Sequence, residues 1–267
     1  MPHVVRGGWL AAVVLGTAAA TTAAGEDLAP FLTVHQKASA LAQQKDWPQA
    51  AKAYETFAAD RPQDACAPLA AILQGLVLCR DLKQPAAARA AFLRAAKAPD
   101  TPFGREPAHV ARTWLARLQM ADLDAALRRY WVLKVEYPEK LDALVERKLV
   151  AADQIVDPWG KPFAYTTGRL RAAPGLPRQT YSLACAAIEG DSRQLPRLLK
   201  ESGEFASKFQ LKAIGGVKPL SALIALGGAD KPVHVAEGEK IGTARLLKLT
   251  PQGAVLVDGG FVAVLAK

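Results

Sequence analysis

The chain has 267 residues, about half of them apolar and 7% aromatic, with three cysteines and a net charge of +9. That length allows one large domain or two to three small ones, and the Ala/Leu-rich composition points to a helix-rich globular protein. The charge is spread out, and its mild clusters, RLRAAPGLPR and SRQLPRLLK, lack interleaved aromatics; this argues against a nucleic-acid partner.

The N-terminus, MPHVVRGGWLAAVVLGTAAATTAAGED, reads as an export signal, with Arg6 as positive flank, Trp9–Leu15 as apolar segment and an Ala/Thr run of small residues. Cleavage after Ala20 and after Ala24 both fit. The apolar stretch is short for a membrane span, an uncleaved anchor being the alternative. No cysteine ends it, which argues against a lipoprotein, and no other segment is apolar enough to span. Residues 1–24 are therefore expected to direct the chain to a bacterial periplasm, with membrane contact only through this segment if it is retained.

Residues 25–106 repeat. KDWPQAAKAYETFAADRP aligns with LKQPAAARAAFLRAAKAP at a period of 37, matching Pro48 with Pro85, Ala51 with Ala88, Ala53 with Ala90 and Pro62 with Pro99. Each unit starts a helix on proline, and amphipathic helices over 28–44 and 64–82 precede the two units. Paired helices at this spacing resemble tetratricopeptide repeats. Two repeats leave apolar faces open, so a capping helix is expected over 107–137, with Val110, Trp114, Leu115, Leu118, Leu123, Leu127 and Trp131 as its core stripe. Cys66 and Cys79 would lie about 20 Å apart on one helix, beyond disulfide reach, so the three cysteines are expected to be buried thiols.

Within residues 107–203 the order ALRRYWVLKVEYPEKLDALVERKLV, IVDPWGKPFAYTT, YSL contains several rare residue types in fixed sequence. It resembles the C-terminal globular domain of the major pseudopilin (protein G) of type II secretion systems, over roughly residues 122–190. The motif positions are Tyr137, Pro138, Asp157, Pro158, Trp159, Gly160, Pro162 and Tyr165. The resemblance implies a long helix ending at the Tyr-Pro step and a small antiparallel sheet opened by the DPWG turn. Trp159 and Tyr165 would pack that sheet onto the helix. The prepilin-type N-terminus of that family is absent. The family's calcium loop would fall near Glu189 and Asp191, which form no convincing oxygen cage, so no cofactor is expected. A helix over 192–202, N-capped by Asp191, should close this block.

From residue 204 the pattern changes to short alternating strands between glycine turns, with Asp258-Gly259-Gly260 as a hairpin signal. The order LKAIGG, ALI, VHVAEGEKIGTARLLKLTPQGAVL resembles the small periplasmic domain of the type II secretion inner-membrane clamp protein (protein C) and of its type IV pilus counterpart. Those domains bind secretin rings. By alternation, Phe209, Leu211 and Ala213 would share one face of an edge strand and Gln210, Lys212 and Ile214 the other. Phe209, Leu211 and Lys212 are the expected partner-binding residues, reached through a flexible ESGEFAS linker.

Catalytic constellations are not legible. His3, His35, His109 and His234 fall in different parts of the chain, Cys185 lies in the apolar run YSLACAAI, and no GxSxG or HExxH occurs. Glu237 and Glu239 are two apart, but EGEK reads as an exposed turn. The expectation is an α+β chain: a signal peptide (1–24), tetratricopeptide-like helical hairpins (25–106), a pilin-like helix with a small antiparallel sheet (107–203) and a small all-β domain (204–267). It would be a non-enzymatic periplasmic component of a type II secretion or type IV pilus-like apparatus, with secretin or pseudopilins as partners. An exported hydrolase or carbohydrate-binding protein is the alternative.

Overall fold

The computed structural model describes residues 27–172, 176–189, 194–216, 219–227 and 231–267, with backbone only for 169–172 and 176–178. The expected signal segment with His3, the expected cap Asp191, Ser192 and Gly228 lie outside the described residues. The architecture is α+β: helices fill the N-terminal half, and three small antiparallel sheets follow.

Four helices form two hairpins: α1 (Ala29–Gln43) with α2 (Trp47–Asp60), and α3 (Ala67–Arg80) with α4 (Pro85–Ala95). Each has proline in its first turn, where the missing N–H leaves no bond unmade. Asp46 caps α2 by accepting from the Gln49 amide at 3.3 Å. Pro48 and Pro85, aligned by the repeat, both open a second helix of a hairpin, and the aligned Ala51 and Ala88 are both buried. Close approach depends on small residues. A Cβ on Gly75 of α3 would lie 2.6 Å from the Phe92 ring of α4, so any larger residue there would force that ring to shift.

The fifth helix, α5 (Pro102–Lys134), crosses residue 106 without a break and is capped by Thr101, which accepts from the Gly104 amide at 2.9 Å. Its two ends serve different cores. Val110, Trp114, Leu115 and Leu118 join the hairpins. Met120, Leu123 and Leu127 face α6 (Asp142–Glu146) and the hairpin of β1 (Ala164–Ala172) and β2 (Leu176–Ala184), together with Leu144, Phe163 and Leu183. Trp131, expected in the core stripe, is instead 41% exposed. Helical spacing carries it onward, but the helix outruns the elements available to cover it.

Helix α7 (Leu195–Glu204) returns to the first core through Leu195, Leu198 and Leu199. The stretch expected as a flexible linker is ordered: α7 runs through Glu204, a 3-10 turn spans Ala206–Lys208, and Phe205 is buried at 3% exposure. Two sheets then pack face to face. One orders β3 (Phe209–Gly215), β4 (Ser221–Leu226) and β5 (Val233–Ala236). The other orders β6 (Lys240–Ile241), β7 (Ala244–Thr250), β8 (Gly253–Asp258) and β9 (Phe261–Ala266).

The second sheet is buried on both faces. Leu246, Ala254, Leu256 and Ala263 meet the first sheet, whereas Leu247, Val255, Val257, Val262 and Val264 pack on the helices. A bulge between Leu246 and Lys248 leaves Leu247 unpaired in register, which lets adjacent leucines serve opposite faces.

Candidate functional site

The motif residues assemble one structural turn. Asp157 is 4% exposed, and its Oδ1 accepts from the Trp159 and Lys161 amides, both at 2.9 Å. Its Oδ2 accepts from Cys185 Sγ at 3.3 Å, tying the turn to the end of β2. Gly160 holds φ 82°, and Val156 bridges Pro162 across the turn beside Pro158. Burial, with the Asp157 carboxylate as a further contributor, pushes the Cys185 thiol up, so it is a poor nucleophile at neutral pH. Trp159 is half-buried, not enclosed; its ring lies 5.6 Å from that of His109.

The tyrosines form the other side of this cluster. Tyr165 donates to the Pro138 carbonyl at 2.8 Å, and the Tyr137 amide donates to Gln179 Oε1 at 2.6 Å. Tyr181 donates to Asp124, which also pairs with Arg128 at 2.8 Å. Burial, helped by the Asp124 carboxylate, raises Tyr181 to about 12. These bonds lock the end of α5 to the β1–β2 hairpin, which is a positioning task.

The second candidate surface is β3. It is an edge of its sheet, paired with β4 alone. Phe209 is buried, Leu211 half-buried and Lys212 exposed. A bulge between Leu211 and Ala213 resets the alternation, so Ala213 is exposed and Ile214 packs inward, the reverse of the expected faces. Such a bulge at an exposed Lys blunts an edge against indiscriminate pairing.

The titratable residues stay dispersed. His35 Nδ1 meets Tyr54 Oη at 2.8 Å between α1 and α2, His109 faces Trp159, and His234 is exposed on β5. Glu237 accepts from the Leu249 amide at 3.2 Å and Glu239 from the Ala236 amide at 2.8 Å; both brace the turn before β6. Among the described residues no three His, Cys, Asp or Glu side chains group as metal ligands. A groove of about 560 Å³ runs between the hairpins and the start of α5, with Arg94, Lys97 and Asp64 beside Pro62, Ala71 and Phe103. Its open shape and mixed lining suit an extended peptide better than a small enclosed substrate.

Two features escaped sequence reasoning. Arg117 of α5 is 8% exposed, 4.7 Å above the Trp114 ring, with Nε and Nη1 unpartnered. Nothing in the sequence marks it, because its burial depends on β9 arriving from far along the chain. The exposed end of α5 did carry a signal. Three successive apolar residues, Trp131-Val132-Leu133, span about 200° from first to last on a helix and cannot share one stripe.

Comparison of the chain with protein-family models, curated proteins and solved structures returns no match.

Proposed function

We propose that this chain is a non-enzymatic, exported component or assembly factor of a type II secretion or type IV pilus-like apparatus that acts by binding other proteins. One observation carries the reading: β3 is hydrogen-bonded on one side only, and Gln210, Lys212 and Ala213 along it are exposed. A partner strand can pair there through backbone groups, with Leu211 and Lys212 setting its register. The groove between the helical hairpins gives a second partner an extended seat. The resemblance of the DPWG segment to pseudopilins and of the last residues to the secretin-binding clamp domain supports the choice of apparatus, with secretin the preferred partner of β3.

The test uses the full chain, because four valines of the second sheet lean on the helices and an isolated β-fragment would expose them. Immobilised wild type should capture the periplasmic domains of the cognate secretin. Leu211→Pro should abolish capture, and Lys212→Glu should weaken it, with circular dichroism unchanged. Equal capture by all three, or capture of pseudopilins with no secretin, overturns the β3 assignment.

A further inference from the structure

Among the described residues six large apolar side chains are exposed, and four of them are Trp131, Val132, Leu133 and Val135, at 41, 73, 66 and 76%. They form the end of α5. From Arg128 to Glu136 every residue except the half-buried Tyr130 is exposed. Tyr130 packs on the core and the Trp131 ring lies 6.4 Å from that of Tyr137, while Val132, Leu133 and Val135 face solvent. Among the described residues no helix is long and apolar enough to cross a membrane.

We infer that the end of α5 is an interfacial anchor that inserts into an anionic phospholipid surface. The geometry separates this from a protein partner. Successive positions 131, 132 and 133 point about 100° apart, so the tip is apolar around most of its circumference. A groove would cover one face of such a helix and leave the others wet, whereas a bilayer entered end-on covers all of them. Four apolar residues also fall far short of the roughly 20–30 residues that each side of a stable protein interface contributes.

Charge favours the same occupant. Residues 128–140 carry Arg128, Arg129, Lys134 and Lys140 against Glu136 and Glu139. Arg128 is spent in part on Asp124, but its side chain is 68% exposed and its stem lies beside the tip. Long basic side chains can extend toward headgroup phosphates while Trp131 sits at the interface. Helix α5 ends on Val135 in the left-handed region, φ 62° and ψ 15°, so a β-branched apolar residue occupies a position that glycine would hold with less strain. This anchor is separate from the N-terminal segment to which sequence reasoning confined membrane contact, and it does not depend on the secretin reading.

The test is local, so binding by the N-terminal segment cannot imitate it. The full chain carries Val132→Cys labelled with a nitrobenzoxadiazole probe; Cys66, Cys79 and Cys185 are buried and spared. With vesicles of phosphatidylethanolamine and phosphatidylglycerol, emission should shift to the blue and be quenched by brominated acyl chains. The same probe at Lys52→Cys, on the exposed surface of α2, should stay water-like. Adding Arg129→Glu and Lys134→Glu should weaken insertion of the 132 probe by roughly tenfold or more. A 132 probe that remains water-like on vesicle-bound protein overturns the proposal, as does equal insertion into phosphatidylcholine alone. A blue shift that grows with protein concentration without lipid would assign the tip to a second copy of the chain and overturn it equally.

Discussion

The indole Nε1 of Trp114 donates to the carbonyl oxygen of Gly260 at 2.5 Å, joining α5 to the β8–β9 hairpin across 146 positions of sequence. The Trp114 ring stacks on Phe92 at 6.1 Å and meets Phe261 edge-on at 6.3 Å. One side chain therefore holds a helical hairpin, the long helix and the C-terminal sheet together. Trp114→Phe should cost about 2–4 kcal/mol, from lost ring volume and a buried carbonyl left unpaired. Denaturant unfolding followed separately by helix and sheet signals should move both transitions together; a shift confined to one would contradict this junction.

Arg117 lies against the same junction at an energetic cost. Burial pulls its guanidinium down to about 10, still charged at neutral pH, and Nε and Nη1 have no partner. Arg117→Met keeps the stem and removes the unsatisfied donors, so it should be neutral or stabilising by about 1 kcal/mol. A Cβ at Gly260 would fall 2.4 Å from Arg117 Nη1. Gly260→Ala should thus destabilise the wild type more than the Arg117→Met background, a coupling that a double-mutant cycle reads directly.

The DPWG turn depends more on its aspartate than on its tryptophan. Asp157→Ala strands two backbone amides and a buried thiol and should cost about 3 kcal/mol or more. Trp159, half-buried against His109, should cost less when cut to Ala, about 1–2 kcal/mol. Thermal unfolding of the two variants orders the effects, and a larger loss for Trp159→Ala would reverse the assignment.

Acid should loosen the first hairpin. Burial lowers His35 from 6.5 to about 4, so the folded state favours the neutral ring bonded to Tyr54. That contribution is complete above pH 6.5 and is lost as pH falls toward about 4, where protonation favours unfolding. The wild type should lose on the order of 2 kcal/mol more than His35→Gln over this window. Parallel stability profiles for the two proteins would count against it.

Val135→Gly should stabilise the chain by about 0.5–1 kcal/mol, because glycine adopts φ 62° without steric cost, partly offset by its freer unfolded state. Differential scanning calorimetry should show a raised Tm; a lowered one would mean that the Val135 side chain has a partner.

Local rules settled much of this protein in advance. Proline at helix starts and the 37-residue repeat place α2 and α4. The Asp-Pro-x-Gly pattern places the turn before β1, and Asp258-Gly259 marks the last hairpin; each is a matter of backbone dihedrals and nearby hydrogen bonds. The run AVLVDGGFVAVL announces a hairpin of two strands, but read as alternating strands it does not say that both faces are covered, or by what. Tertiary structure decided that the cover is the helical hairpins on one side and a second sheet on the other. It decided too that Lys212 bulges, reversing Ala213 and Ile214, and that α5 runs past its neighbours and leaves Trp131 in solvent. Periodicity reports which side of an element is apolar. Whether another element reaches that side depends on lengths and crossings set far away in the chain.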